Sequence, residues 1–196
     1  MATFAENYRE SDLTFDENGI YWTNPEDNEV YQVMMKWEEP IMKKMAELAV
    51  NEGDNVLEIG FGMGILSDEI QKRKPKSHTI IECHKDIIPK LKDWAKEKSN
   101  IIIKEGRWLQ LVNDLPKYDA ILFDTYGDED LGNFVWFAVT KANKGCKITW
   151  YNNKDSDTDW GYLFDSYQLT LTDVTVNPPT NKYYNKKTYK VPLKII

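Results

Sequence analysis

Asn55-Val-Leu-Glu-Ile-Gly60-Phe-Gly-Met-Gly64-Ile65 sets the architecture. Asn55 to Ile59 reads as a short buried strand, three glycines follow at alternate positions, and a helical pattern runs on from about Ile65 to Lys74. Strand, glycine turn and helix in that order are the opening unit of a parallel α/β sheet. The rhythm repeats downstream. Residues 78–83 read as a second strand, and Ile88, Leu91, Trp94 and Ala95 form the apolar face of the next helix. Residues 100–104 read as a third strand, 119–124 as a fourth, 129–143 as a helix ended by Gly145, and 146–151 as a fifth strand. Residues 167–176 and 184–196 alternate apolar and polar side chains, the pattern of a closing antiparallel hairpin. The expected fold is a doubly wound α/β domain: a mostly parallel, Rossmann-like seven-stranded sheet with an antiparallel C-terminal hairpin.

Upstream of the glycine turn, Trp37-Glu38-Glu39-Pro40 opens a helix that carries Ile41, Met45, Leu48 and Ala49 on one face before Gly53 stops it. Residues 1–36 mix acids with Phe15, Tyr21, Trp22 and Tyr31 and show no sustained period. They are expected to be an irregular N-terminal segment, with Tyr21 and Trp22 as candidates for a lid that excludes water; residues 37–196 form the main domain.

With 196 residues, 41% of them hydrophobic and 29% charged, the chain is long enough for one well-packed domain and too apolar for a disordered tail. Lys and Arg number 25 against 32 Asp and Glu, so the net charge of −7 disfavours binding to phosphate backbones and anionic lipid. No apolar run approaches the ~18–20 residues of a membrane span and no leader is apparent, so a cytoplasmic protein is expected. Cys83 and Cys146 cannot make a multi-bridge framework, and His78 and His84 are the only histidines. A histidine triad or a multi-histidine metal centre is thereby excluded, and no metal is expected.

In sheets of this kind ligands bind beyond the carboxyl ends of the strands, over the turn after the first one. Glycines at 60, 62 and 64 let backbone approach a ligand closely, and Glu82, about twenty residues on at the end of the second strand, is placed to accept ribose hydroxyls. Together they point to a nucleoside cofactor. No Gly-Lys-Ser/Thr follows the turn, which excludes a phosphate-binding P-loop. Asn177-Pro-Pro-Thr180 mimics a motif of amino-methylating DNA enzymes, but it follows the wrong strand and lacks the aromatic; it reads as a turn.

Val33-Met-Met-Lys-Trp-Glu-Glu-Pro-Ile-Met42, Val56-Leu-Glu-Ile-Gly-Phe-Gly-Met63, Ile80-Ile-Glu-Cys83, Leu91-Lys-Asp-Trp-Ala95, Gly106-Arg-Trp108 and Phe123-Asp-Thr-Tyr126, in that order, resemble the class I S-adenosylmethionine-dependent methyltransferases. More narrowly they resemble the guanidinoacetate N-methyltransferase family, densely from Val33 to Tyr126 and thinly beyond. The resemblance implies S-adenosyl-L-methionine as cofactor and S-adenosyl-L-homocysteine as product. It implies a cofactor site of Met42, Glu58, Gly60, Phe61, Gly62, Met63, Gly64, Glu82, Cys83, Arg107, Trp108 and Asp124, with Phe61 to Gly64 beside the methionyl part and Arg107 and Trp108 about the adenine. Glu38 and Asp124 then take the catalytic role, gripping a guanidinium, with Met34, Asn153 and Lys154 beside the substrate.

The chemistry is coherent without the resemblance. Methyl transfer from a sulfonium is an in-line displacement, so positioning the acceptor nitrogen supplies much of the rate. A guanidinium, with a pKa of about 12.5 or more, is a poor nucleophile; paired carboxylates orient its planar fork and accept the proton it loses. Some positions depart from the family pattern: Glu39 stands where the family has threonine, Gly127-Asp-Glu-Asp130 is a different loop, and Asn152, Asn153 and Lys154 differ. The expected partner is a small guanidino compound, guanidinoacetate first, with no nucleic acid and no membrane, on a monomer or homodimer. Other acceptors, such as a protein arginine or another amine, stay open, as do an aminopropyl transferase and a silent cofactor-binding module.

Overall fold

The structure is a computed structural model and describes residues 2–128, 130, 133–152, 169–179 and 184–196. Thr3 opens the first helix, α1 (Phe4–Glu10): its hydroxyl accepts from the Glu6 amide at 3.2 Å while the Glu6 carboxylate accepts from the Thr3 amide at 2.8 Å. This reciprocal cap satisfies two of the helix's orphan donors. Three strands follow, β1 (Thr14–Phe15), β2 (Gly19–Thr23) and β3 (Val30–Met35), in a small antiparallel sheet ordered β1-β2-β3. The segment expected to be irregular over residues 1–36 is therefore a capped helix and a sheet. Its elements are too short to show a period across a window of 11–18 residues.

A 3₁₀ turn, Lys36–Glu38, leads into α2 (Glu39–Ala49), where Pro40 sits in the first turn. There its missing N–H costs nothing. Ile41, Met42, Met45, Ala46 and Ala49 form the buried face, and the helix ends at Ala49, ahead of Gly53. The main sheet then unfolds as β4 (Asn55–Ile59), α3 (Ile65–Gln71), β5 (Ser77–Glu82), α4 (Ile88–Ala95), β6 (Ile101–Glu105), a 3₁₀ stretch Trp108–Asp114, β7 (Tyr118–Phe123), α5 (Phe134–Lys141), β8 (Ala142–Trp150), β9 (Leu169–Thr175) and β10 (Thr188–Ile195). The sheet order is β6-β5-β4-β7-β8-β10-β9. The first five strands pair in parallel, and β10 runs antiparallel to both β8 and β9, between which it lies. The doubly wound, mostly parallel seven-stranded sheet with an antiparallel end is the one expected.

Two cores cover the two faces, which is why the parallel strands read as nearly solid apolar runs. Val56, Ile80, Leu122 and Val191 pack beneath α2 with Ile41 and Met45. Leu57, Ile59, Ile81 and Phe123 face the opposite way, against Trp108, Phe134, Phe137 and Trp150. The fourth helix and fifth strand differ from expectation: α5 ends at Lys141 and β8 begins at once with Ala142, so Gly145 lies inside a strand. Its φ of +83° explains the glycine, since the strand register shifts on the neighbouring β7 between Tyr118 and Ala120. Among the described residues no helix is long and apolar enough to cross a membrane.

Candidate active site

Beyond the carboxyl ends of β4, β5 and β7 lies a cavity, at the place where sheets of this kind take their ligands. The turn after β4 forms one wall. Gly60 has φ +92°, and a Cβ there would lie 1.8 Å from the Asp124 carbonyl oxygen; at Gly62, φ +54°, a Cβ would meet the Met34 sulfur at 2.3 Å. Gly60 is thus required by positive φ and by its approach to backbone, whereas at Gly62 positive φ combines with crowding by the Met34 side chain. The Met34 sulfur also lies 3.1 Å from the Met63 amide nitrogen, so β3 of the small sheet is stitched to the turn and Met34 enters the cavity wall.

Glu82 ends β5 at the cavity and is only 6% exposed. One carboxylate oxygen accepts from the Phe61 amide at 2.9 Å, and the other from the amides of Cys83 and His84 at 2.7 and 2.8 Å. A carboxylate offers about four acceptor directions, so one remains for a ligand hydroxyl while three N–H groups hold the charge in place. Cys83, Arg107 and Trp108 stand in the same wall. The Trp108 indole donates to Asp128 at 2.5 Å and Arg107 pairs with Asp130. The loop that departs from the family pattern is therefore tied to the Arg107–Trp108 end of the cavity.

Asp124 follows β7 and also lines the cavity. Its amide donates to the Ile59 carbonyl at 2.9 Å, and no partner for its carboxylate is found among the described residues. Burial first, then the charges of Glu38, Glu58 and Glu82, raise its pKa well above the ordinary carboxylate range. Glu38, 4% exposed, ends the 3₁₀ turn before α2, and its carboxylate accepts from the Met35 amide at 2.8 Å. Glu38 and Asp124 both act electrostatically on the Tyr189 hydroxyl, which accepts from the Asn152 amide. The two acids are gathered around the junction of β7, β10 and the start of α2.

Other expected residues fall elsewhere. Met42 is fully buried in the core under α2 and does not line the cavity. Glu58 is fully buried too, accepting from Ser67 Oγ at 2.7 Å and contacting His78 Nε2 at 2.7 Å behind the turn. Phe61 lends its amide to Glu82, but its ring turns to Gly64 and to Trp94, 5.5 Å away; neither it, Met63 nor Gly64 is in the wall. Glu38 stands just outside the wall that Asp124 completes. Asn153 and Lys154 lie outside the described residues. Trp22 is buried against Phe4 and Tyr8, donates to the Tyr126 hydroxyl at 3.1 Å and does not reach the cavity.

What reaches it from the N-terminal segment is Tyr8 and Arg9 of α1 together with Val33 and Met34 of β3; Tyr126 and Asp128 also line it. The Tyr8 ring packs 4.8 Å from Tyr126 and 4.9 Å from His84. The Thr3-x-x-Glu6 spacing was the signal in the sequence that announces this helix. A glycine cradle that any Cβ would fill, a fixed carboxylate some twenty residues on, and aromatic and apolar walls form a set of groups that fits a nucleoside carrying an amino-acid tail.

Comparison with known proteins places the chain. Residues 25–168 match the family described as guanidinoacetate N-methyltransferase. The protein arginine N-methyltransferase 2 of Candida glabrata is 34% identical over 164 residues, 78% of this chain and 39% of that protein; its namesake from Aspergillus oryzae is 34% identical over 172 residues, 82% and 40%. The chain thus spans about two fifths of the length of these curated relatives. Among solved structures, N-methyltransferase NodS from Bradyrhizobium japonicum, in complex with S-adenosyl-L-homocysteine, aligns with TM-score 0.62 at 14% identity over 82% of this chain and 87% of that one. Spermidine synthase from Thermotoga maritima aligns at 0.61 with 13% identity over 94% and 71%. At such identities the structures share the fold alone. The chain belongs to the guanidinoacetate N-methyltransferase family of class I S-adenosylmethionine-dependent methyltransferases.

Proposed function

We propose that this protein methylates a nitrogen of a guanidino group on a small molecule, guanidinoacetate being the first candidate and creatine its product. The observation that supports this reading best is the pair of acids, Glu38 and Asp124, set beside a cavity that Glu82 also lines. S-adenosyl-L-methionine supplies the electrophilic methyl carbon of a sulfonium. Glu82 would take a ribose hydroxyl in its remaining acceptor direction, Cys83, Arg107, Trp108 and Asp128 would border the adenine, and Gly60, Gly62 and Met34 would line the methionyl part. Met42 and Glu58 support this wall from behind. Residues 1–36 cover the cavity of a domain spanning 37–196.

A cluster of carboxylates favours a bound cation, which offsets both the burial and the mutual repulsion that raise the Asp124 pKa. A guanidinium satisfies both acids through parallel N–H···O bonds, which fixes the plane of the acceptor and aims one nitrogen at the methyl group. As the new N–C bond forms, that nitrogen loses a proton, and Asp124 is the carboxylate placed to take it. A second reading, a protein arginine as acceptor, is favoured by the names of the curated relatives. Both use the same acids; they differ in what lies beyond the guanidinium.

Calorimetric titration with S-adenosyl-L-homocysteine, then with guanidinoacetate or an arginine-containing peptide added to the binary complex, separates them. Guanidinoacetate binding and turnover support the first reading, peptide turnover the second. Nucleoside binding with no turnover of either leaves a silent binding module. Replacing Glu82 is expected to weaken nucleoside binding most: Glu82→Ala removes the hydroxyl acceptor and frees three amides, and affinity should fall about 30-fold or more, by roughly 2 kcal/mol. Unchanged affinity in that variant would remove Glu82 from the site.

A further inference from the structure

His84 follows Glu82 by two residues, is fully buried, and uses both ring nitrogens. Nδ1 receives the Asp86 amide at 3.1 Å, and Nε2 lies 3.0 Å from the Tyr8 carbonyl oxygen. One neighbour is a donor and the other an acceptor, so the ring is a neutral imidazole with its proton on Nε2; the other tautomer satisfies neither contact. Its own amide meanwhile donates to Glu82 at 2.8 Å. A single residue is thus bonded through its backbone to the carboxylate at the cavity end and through its ring to α1, the helix that lends Tyr8 and Arg9 to the wall.

We infer that His84 is a positioning residue that latches α1 over the Glu82 end of the cavity, and that the latch holds only while the ring is neutral. Protonation places an N–H on Nδ1 against the Asp86 N–H, two donors 3.1 Å apart, and the ring must leave the position that serves Tyr8. Two further ties join the loop after β5 to the exit of α1: the Leu13 amide donates to Asp86 at 2.8 Å, and Lys85 pairs with Asp12 at 2.5 Å. The pKa of Asp86 is lowered and that of Lys85 raised from their ordinary values, and the second tie is exposed and weak.

The charged and titratable groups around the ring are Glu82 and Cys83 from β5 and its end, Lys85 with Asp12, Asp86, and Tyr8 and Arg9 from α1. Burial, the largest influence, lowers the His84 pKa; the Tyr8 carbonyl, Asp86 and Glu82 oppose it, and Lys85 adds to it. The sign follows. The latched form has the lower pKa, so the latch is intact above the ordinary histidine value of about 6.5 and weakens by up to about tenfold for each pH unit below it.

Hydrogen exchange on the free protein, corrected for intrinsic rates, tests this directly. Protection of residues 4–12 is expected to fall about tenfold between pH 7.5 and 5.5 while β4 and β5 stay unchanged. His84→Gln, which keeps an N–H for the Tyr8 carbonyl and cannot titrate, should make that protection independent of pH. Affinity for S-adenosyl-L-homocysteine should follow the same pH course in the wild type and be flat in the variant. That second arm rests on the cofactor reading of the cavity: no binding at any pH sinks that reading and leaves the exchange result standing. Protection of residues 4–12 that ignores pH in the wild type overturns the latch, as does an unchanged pH dependence in His84→Gln. Should the variant not fold, the wild-type series decides alone.

Discussion

Asp124→Asn is expected to lower kcat by about 10²–10⁴-fold, the range a positioned general base contributes, while moving S-adenosyl-L-homocysteine affinity by less than about threefold. The amide keeps the shape of the side chain and can still accept a hydrogen bond, but it takes no proton from the acceptor nitrogen and offers no charge to a guanidinium. The same change should stabilise the fold. Burial and the neighbouring Glu38, Glu58 and Glu82 raise the Asp124 pKa, so the folded state binds this proton more tightly than the unfolded chain does. The stability belonging to the protonated form is present in full below the unfolded value near ~3.9 and is lost as pH rises through the folded value. At neutral pH the asparagine variant escapes that loss, and each ~1 kcal/mol recovered raises Tm by about 2–4 °C. For the wild type the same shift predicts kcat/KM rising with pH as the carboxyl ionises. A variant that keeps turnover within threefold, or loses stability at pH 7, would remove Asp124 from the role of base.

Gly60→Ala should do the most damage to the cavity as a whole. The new methyl would sit 1.8 Å from the Asp124 carbonyl oxygen and 2.9 Å from its carbon, in backbone whose φ of +92° L-residues rarely adopt. Neither side can yield cheaply. The Gly60 amide is bonded to the Ile81 carbonyl and the Asp124 amide to the Ile59 carbonyl, each at 2.9 Å, so the clash falls where β4, β5 and β7 are tied together. A cost of about 4 kcal/mol, among the larger effects of single substitutions, corresponds to a drop in Tm of roughly 8–16 °C. S-adenosyl-L-homocysteine affinity measured well below that Tm should fall at least about 100-fold, since relief of the clash moves Glu82 and Asp124 apart. Binding within threefold of the wild type would show that the turn is not the cradle.

The turn and Glu82 were legible in the sequence because a parallel strand buried on both faces leaves a solid apolar run, and the glycines and the acid follow two such runs at fixed offsets. Helix α1 was obscured by its seven residues, of which only Ala5 and Tyr8 are buried; its capping box was the better signal. Met42 shows the limit of periodicity: helical spacing assigns it to the buried face of α2 but does not say whether that face meets a cavity or a core. Glu58 shows another. An acid inside a strand next to a glycine turn reads as a ligand contact, and only the approach of Ser67 and His78, the latter twenty residues on, shows where its carboxylate goes. Gly145 was read as a helix stop, whereas its positive φ serves an irregular strand, since one residue type meets both needs. Asn153 and Lys154, expected beside the substrate, fall in residues 153–168, outside the described part.

The seating of β10 between β8 and β9 reverses the order of synthesis and the order of assembly. Residues 169–175 leave the ribosome first, yet among the described residues they pair with β10 alone, some thirteen residues later in the chain. At ~5–20 residues per second the wait is short, but during it the outer edge of β8 presents unpaired N–H and C=O groups, and β9 is the nearest strand able to take the wrong place there. Correct closure requires β10 to win that competition. The clamp in which Gly145 donates to the Ile196 carbonyl and the Ile196 amide donates to the Cys146 carbonyl rewards only the right strand. In kinetic terms this edge is a late, long-range step, and substitutions at 145 or 196 should slow refolding more than they lower the stability of the parallel half of the sheet.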